Sequence, residues 1–210
     1  MPRLFLCVTT ILLGWASTTA VMPQAKSGGV GPSGMEMVTE QTAGISFLKI
    51  GHPLSNTASE YVMALQSSGG SIRSATAGVS VSEKRFVYLP GSCGARLYLD
   101  DADAQPLLKN RVNIDTVRIA GLQFRREFWA VYAGMGQWEG VINCYAFHNN
   151  QFYTLSLNAG VSLGKPGEVV DGVKISGELL RSRMADILNN TQEPVIQMFN
   201  DLLSSFRVNN

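Results

Sequence analysis

The hydrophobic pattern of the chain is clearest between residues 122 and 157, where large side chains alternate with smaller or polar ones. Period-two alternation is typical of a strand, because successive side chains point to opposite faces of the sheet. Three such runs, Phe124–Tyr132, Val141–His148 and Phe152–Leu157, are separated by a glycine-rich segment and by the pair Asn149-Asn150. Asparagine tolerates the positive φ angles of a tight hairpin turn. The pattern therefore predicts three adjacent antiparallel strands.

Helical periodicity is found in one stretch before this region and in two after it. The first follows Pro53, and Thr57 and Glu60 have the spacing of a capping box there. The shared helical faces are Leu54, Ala58, Tyr61, Val62 and Leu65 in the first stretch, Leu180, Met184, Ile187 and Leu188 in the second, and Val195, Phe199, Leu202 and Leu203 in the third. Thr191 is a plausible N-cap for the last helix.

Shorter alternating or apolar runs predict the remaining strands, at Ile45–Ile50, Ile72–Val81, Arg85–Leu89, Arg96–Leu99, Val112–Ile119 and Ser204–Val208. A single helical turn is predicted at Ala104–Lys109. The fold class is therefore α+β, a mostly antiparallel sheet with two C-terminal helices and one N-terminal helix packed on it.

The N-terminus has the features of a secretory signal peptide. Arg3 precedes the apolar run Leu4–Trp15, which is too short for a comfortable membrane span, and small residues follow up to Ala20. We expect residues 1–20 to be a removed leader, 21–43 a flexible linker rich in glycine and serine, and 44–210 a single α+β domain. The expected location is the periplasm or the extracellular medium, with no transmembrane segment after the leader is removed.

The charge balance excludes one class of partner. Loss of Arg3 with the leader leaves equal numbers of basic and acidic residues in the mature chain. A neutral protein is a poor candidate for non-specific binding to nucleic acid or to a membrane surface. We therefore expect an unknown protein or small molecule as partner, and no nucleic acid.

Cys93 and Cys144 remain after the leader is removed. Two cysteines in an oxidising compartment predict one disulfide, and a pair of buried, unbonded thiols is the alternative. A cysteine nucleophile paired with a histidine would instead make the protein a small exported enzyme. Cys144 and His148 are four residues apart on one strand, about 13 Å by strand rise, which is too far for a hydrogen bond. A pair of Cys93 with His148 or His52 stays open.

No motif predicts a metal or a cofactor. The only histidines are His52 and His148, and neither lies in a His-x-x-x-His or Cys-x-x-Cys spacing. The glycines at 134, 136 and 140 lack the following helix that a dinucleotide fingerprint requires. We predict no metal site, no cofactor and no catalytic residues.

Candidate ligand-binding residues are Arg118, Arg125, Arg126, Trp129 and Trp138. The arginines form a locally basic segment, and an anionic ligand would bind it in a salt-dependent way. The ordinary alternatives are a solvated sheet surface, on which Asp115 and Glu127 pair with the arginines, and tryptophans buried in the core.

From Val117 onward the order of elements resembles the PsbP-like fold family. The features that carry the resemblance are Phe124–Tyr132, Tyr145–Leu157 with its Asn-Asn turn, the helices within Glu178–Ser204, and the closing Ser205-Phe206-Arg207-Val208. The helix predicted at 53–66 and the segment around Cys93 are not part of it. The resemblance implies an antiparallel sheet flanked by helices and a non-enzymatic accessory or binding role. The function expected is therefore an exported accessory protein that binds a partner protein or a small ligand.

Overall fold

The computed structural model describes residues 36–57, 59–84, 86–88, 96–98 and 111–209. Its helices are α1 Gly177–Asn189 and α2 Pro194–Ser205. Its strands are β1 Met37–Glu40, β2 Ile45–Leu48, β3 His52–Thr57, β4 Glu60–Gln66, β5 Ser74–Ser82, β6 Phe86–Tyr88, β7 Arg96–Tyr98, β8 Arg111–Ile119, β9 Leu122–Gly134, β10 Gln137–His148, β11 Gln151–Ser162, β12 Val169–Val170, β13 Val173–Lys174 and β14 Arg207–Val208.

Seven strands form the central sheet, in the order β3-β4-β5-β11-β10-β9-β8, and every neighbouring pair is antiparallel. The three strands predicted between residues 122 and 157 are β9, β10 and β11, and they are adjacent as predicted. Asn149 and Asn150 form the turn between β10 and β11 with φ angles of 49° and 60°. This prediction is confirmed, and the strands extend beyond the predicted runs, since β11 continues to Ser162.

Helices α1 and α2 occur where helical periodicity predicts them, with their apolar faces buried. The Ser176 hydroxyl caps α1 by accepting from the Leu179 amide. The N-cap of α2 is Glu193, so the assignment to Thr191 is wrong. The Glu193 carboxylate instead accepts hydrogen bonds from the backbone amides of Ser71 and Ile72, at 2.8 and 3.1 Å. This contact ties the start of α2 to the loop between β4 and β5.

A second, three-stranded sheet joins the two ends of the described chain. Strand β2 pairs with β1 on one side and with β14 on the other, both antiparallel. Phe206, which precedes β14, is fully buried and packs edge-on against Phe124 and Tyr153 of the central sheet. The predicted final strand is found at Arg207–Val208 only, because Ser204 and Ser205 belong to α2. Strand β1 lies inside the range predicted as a linker.

The predicted N-terminal helix is not found, because residues 53–57 belong to strand β3 and residues 60–66 to strand β4, and these strands pair antiparallel. Tyr61, Met63 and Leu65 are buried and also alternate with period two, which is the pattern that the sheet uses. The Thr57 hydroxyl accepts from the Glu60 amide at 3.1 Å, so the spacing interpreted as a capping box closes a strand-to-strand turn. Helical and strand patterns coincide in this stretch, and pairing of β4 with β5 decides between them.

Several predictions fall outside the described residues. These are the leader at 1–20, the linker up to residue 35, Cys93 with its surrounding loop, and the helical turn at 104–109. Among the described residues, neither helix has the length and apolar character needed to cross a bilayer.

Candidate functional site

The central sheet has two faces of different character. One, here called the helix face, packs against α1, since Gly140 of β10 lies against Met184 and Leu188 of that helix. The other, here called the polar face, carries side chains of the opposite parity. These are Arg125, Glu127 and Trp129 of β9, Asn143 and Tyr145 of β10, Thr154 and Ser156 of β11, and Ser80 of β5.

Glu127 is the centre of the polar face and is wholly buried. Its Oε1 accepts from the Tyr145 hydroxyl at 2.9 Å, from Arg125 Nε at 3.1 Å and from Arg111 Nη1 at 3.3 Å. Removing a carboxylate from water costs several kcal/mol unless opposite charge and hydrogen bonds replace the lost hydration. Two guanidinium groups and one hydroxyl supply that replacement, so one buried negative charge holds two arginines in place.

Three buried polar atoms of this face have no hydrogen-bond partner in the part of the chain that the structure describes. They are Glu127 Oε2, Trp129 Nε1 and Thr154 Oγ1. Nearly all buried polar groups in folded proteins are hydrogen-bonded. The polar face therefore carries hydrogen-bonding capacity that the described residues do not use.

The polar face also carries a shallow groove of about 350 Å³. The groove crosses β4, β5, β11 and the start of β10, and it is lined by Ala64, Leu65, Gln66, Ser74, Ala75, Thr76, Glu139, Asn158 and Gly160. Small side chains such as Ala64 and Gly160 leave the floor accessible, while amide, hydroxyl and carboxylate groups line the sides. The groove can accept a polar group by hydrogen bonding.

The predicted ligand-binding residues are divided between the two faces. Arg125 and Trp129 lie on the polar face, since they share strand parity with Glu127 on β9. Arg118 lies there too, because its cross-strand partner Gln123 has the same parity. Arg126 and Trp138 lie on the helix face. The structure therefore does not bring all five residues together.

The two residues on the helix face have structural partners. Arg126 donates to both oxygens of Asp115, at 2.8 and 2.5 Å, and lies 5.0 Å above the Phe128 ring. The hydrogen bond lowers the pKa of the Asp115 carboxyl and raises the pKa of the Arg126 guanidinium. Trp138 is buried, and its Nε1 donates to the Gly164 carbonyl oxygen at 3.1 Å.

Cys144 is a free, fully buried thiol on the helix face. Burial raises its pKa to about 12. The thiolate is the nucleophilic form of cysteine, so Cys144 is not placed to act as a nucleophile. Cys93 lies outside the described residues, and the disulfide between the two cysteines stays a prediction.

The sequence predicts that Asp115 and Glu127 pair with the arginines, but it does not predict that Glu127 is buried. The expected solvated pairs exist as Asp115 with Arg126 and Glu127 with Arg125, yet the second carboxylate is inaccessible to water. Arg111 also pairs with Glu127, but it is not among the ligand-binding residues that the sequence predicts. Strand β6 contacts β10 and β11, and the sequence pattern of these strands does not predict this tertiary contact.

No group of three or more histidine, cysteine or acidic side chains within the described ranges could hold a metal ion. The buried polar-face atoms that have no hydrogen-bond partner among the described residues are oxygen and nitrogen atoms of one sheet. Their arrangement suits recognition of a polar group through hydrogen bonds and charge.

No protein-family profile and no curated protein sequence matches the chain. Comparison of structures finds a solution structure of cyanobacterial PsbP (CyanoP) from Synechocystis, at 12% identity and a TM-score of 0.35, covering 87% of this chain and 97% of that one. It also finds the Ran-binding protein Mog1p of Saccharomyces cerevisiae, at 10% identity and a TM-score of 0.40, covering 83% of this chain and 95% of that one. The PsbP-like resemblance predicted from the C-terminal half is thus also found between structures, as a likeness of fold.

Proposed function

We propose that this protein is an exported, non-enzymatic accessory protein that binds a partner protein or a small ligand on the polar face of its sheet. The observation that carries the proposal is the groove of about 350 Å³, which lies on the same face of the sheet as the buried cluster around Glu127. Polar side chains line this groove on the face of the sheet opposite the helices, and the groove is open to solvent, so a polar contact can form there.

The order of apolar, charged and small residues in 1–20 supports export. The mature chain should then begin at Val21, and the intact mass of protein recovered from the periplasm or medium measures this directly. Recovery of the full-length chain in the cytoplasm alone would refute export without touching the binding proposal.

Binding is tested by placing the photo-crosslinking residue p-benzoylphenylalanine at Gln66, on the side of the groove. The matched control is Gln197, an exposed glutamine on α2, on the other side of the sheet. Irradiation in the native host should give a discrete adduct from position 66 and none from position 197. Mass spectrometry then identifies a protein partner or a small ligand.

A substitution that fills the groove provides the specificity control. A Cβ built at Gly160 meets no heavy atom within 4 Å, so Gly160→Trp places an indole over the groove floor without a backbone clash. The adduct from position 66 should disappear in this variant. Equal labelling from both positions, no labelling from position 66, or an adduct that persists in Gly160→Trp would each refute binding in the groove.

A further inference from the structure

A set of arginines lies at one edge of the polar face, where β8 is the outermost strand of the sheet. Arg111 and Arg118 belong to β8, and Arg125 belongs to the neighbouring β9. Their cross-strand partners are Trp129 for Arg111, Gln123 for Arg118 and Thr116 for Arg125, so all three side chains share the polar face.

Positive charge exceeds negative charge at this edge. Glu127 is the shared partner of Arg111 and Arg125, while Arg118 is exposed and has no ion-pair partner among the described residues. Three guanidinium groups thus face one carboxylate. Because that carboxylate is buried, the charges that the described residues of this cluster present to water are positive.

Arg125 is held in an orientation that leaves its donors available. Its Nε bonds to Glu127, and its two terminal nitrogens have no partner in the described ranges. The side chain is 44% exposed. A guanidinium group with two free terminal nitrogens can bind a carboxylate through two parallel hydrogen bonds, and anchoring through Nε reduces the side-chain entropy lost on binding.

An exposed apolar side chain lies among these arginines. Ile114 is the cross-strand partner of Glu127 and is 41% exposed on the polar face, between Arg111 and Arg118 along β8. Protein interfaces combine arginine with apolar contact, whereas a free inorganic anion makes no use of an isoleucine. The cluster therefore favours an acidic polypeptide segment over a small ion.

We propose that Arg111, Arg118 and Arg125, with Ile114 between them, bind an acidic segment of a partner protein in which carboxylate and apolar side chains alternate. This inference rests on the proposed binding role, and it adds a contact outside the groove, at the β8 edge of the same face, that specifies the chemistry of the partner. The Glu127 carboxylate is the positioning group, because it fixes Arg111 and Arg125 from beneath.

The probe is a fluorescent peptide of alternating glutamate and valine, compared with a peptide of alternating glutamine and valine. Fluorescence anisotropy of the full-length mature protein should show saturable binding of the glutamate peptide at about 50 mM salt that weakens at about 300 mM. The glutamine peptide should not bind. The double variant Arg118→Gln/Arg125→Gln should raise the Kd about tenfold or more, since charge-assisted bidentate bonds are lost.

The matched control is Arg73→Gln/Arg183→Gln, which removes two exposed arginines elsewhere and should leave the Kd within about twofold. Arg118→Gln alone leaves both arginine partners of Glu127 in place, so it should fold normally. This single variant should still weaken binding by several fold. Equal loss in the control variant, equal binding of the glutamine peptide, or absence of saturable binding would overturn the proposal. Displacement by inorganic phosphate at concentrations equal to the peptide would also overturn it, in favour of a small-anion site.

These outcomes are separate from the test of the proposed function. A crosslink at position 66 together with no peptide binding would refute only the proposal of an acidic partner. Peptide binding that depends on Arg118 and Arg125 without a crosslink at position 66 would remove only the groove as the contact.

Discussion

Replacing Glu193 by alanine should loosen the attachment of α2 to the sheet. The Glu193 carboxylate is the acceptor for the amides of Ser71 and Ile72, and it is only 3% exposed. Losing two charge-assisted hydrogen bonds at a buried site should lower the free energy of unfolding by about 3 kcal/mol.

The loss of stability caused by Gly70→Ala should depend on the same carboxylate. The φ of Gly70 is +79°, and an added Cβ would overlap Glu193 Oε1 and lie 2.7 Å from Cδ. Gly70→Ala therefore has two costs, about 1 kcal/mol for the left-handed backbone and a further ~2 kcal/mol because the carboxylate must leave its two donors. In the Glu193→Ala background only the first cost remains. The double variant should thus be about 2 kcal/mol more stable than the sum of the single effects predicts.

Urea unfolding of the four proteins measures this coupling, provided that the slope of free energy against denaturant is unchanged. Gly69→Ala is the neighbouring control, because its Cβ would meet no heavy atom within 4 Å; it should change stability by less than about 0.5 kcal/mol. Additive effects of Gly70→Ala and Glu193→Ala would refute the reasoning, since they would mean that the two residues do not share one space.

Three further predictions concern packing, pH and thiol reactivity. Gly51→Ala should destabilise the fold by about 1–3 kcal/mol, because the new Cβ would overlap a backbone oxygen of β4, whereas Gly160→Ala on β11 should be neutral in the same thermal denaturation assay. The lowered pKa of Asp115 stabilises the fold above the usual carboxyl range, and this contribution is lost as the pH falls through the folded-state value. Asp115→Asn should remove this pH-dependent contribution to the free energy of unfolding, which is less than about 1 kcal/mol because the pair with Arg126 is partly exposed. A pH profile of stability that is the same in the variant would contradict this prediction. In reduced protein at about pH 8, Cys144 should resist iodoacetamide until denaturant is added, because its pKa is about 12; alkylation at the rate of an exposed thiol would contradict its burial.

The elements that the sequence predicts well are those in which only one periodicity fits. The strands β9, β10 and β11 alternate over long stretches, and Asn149-Asn150 marks the turn by its own backbone preference. The stretch 53–66 fits both periodicities, since Tyr61 and Leu65 lie on one side of a strand and on one side of a helix. Pairing with β5 selects the strand, and no local pattern contains that information.

The candidate site was predictable in its residue types but not in its geometry. Strand parity places Arg125 and Arg126 on opposite faces, which the sequence does show. The contrast between Asp115, which is partly exposed, and Glu127, which is buried, arises from what covers each face of the sheet. Burial of a carboxylate at a strand position depends on tertiary packing, so the local alternation of residues does not predict it.

Strand β14 gives the chain a particular order of folding. Val208 pairs with Ile45, and Ser46 bonds with Asn209 across a separation of 163 residues. Contacts between distant parts of a chain form late, because a long loop must close before they contribute any stability. Without residues 206–208, β2 would keep one edge unpaired, and the core would lack the Phe206 ring that packs against Phe124 and Tyr153.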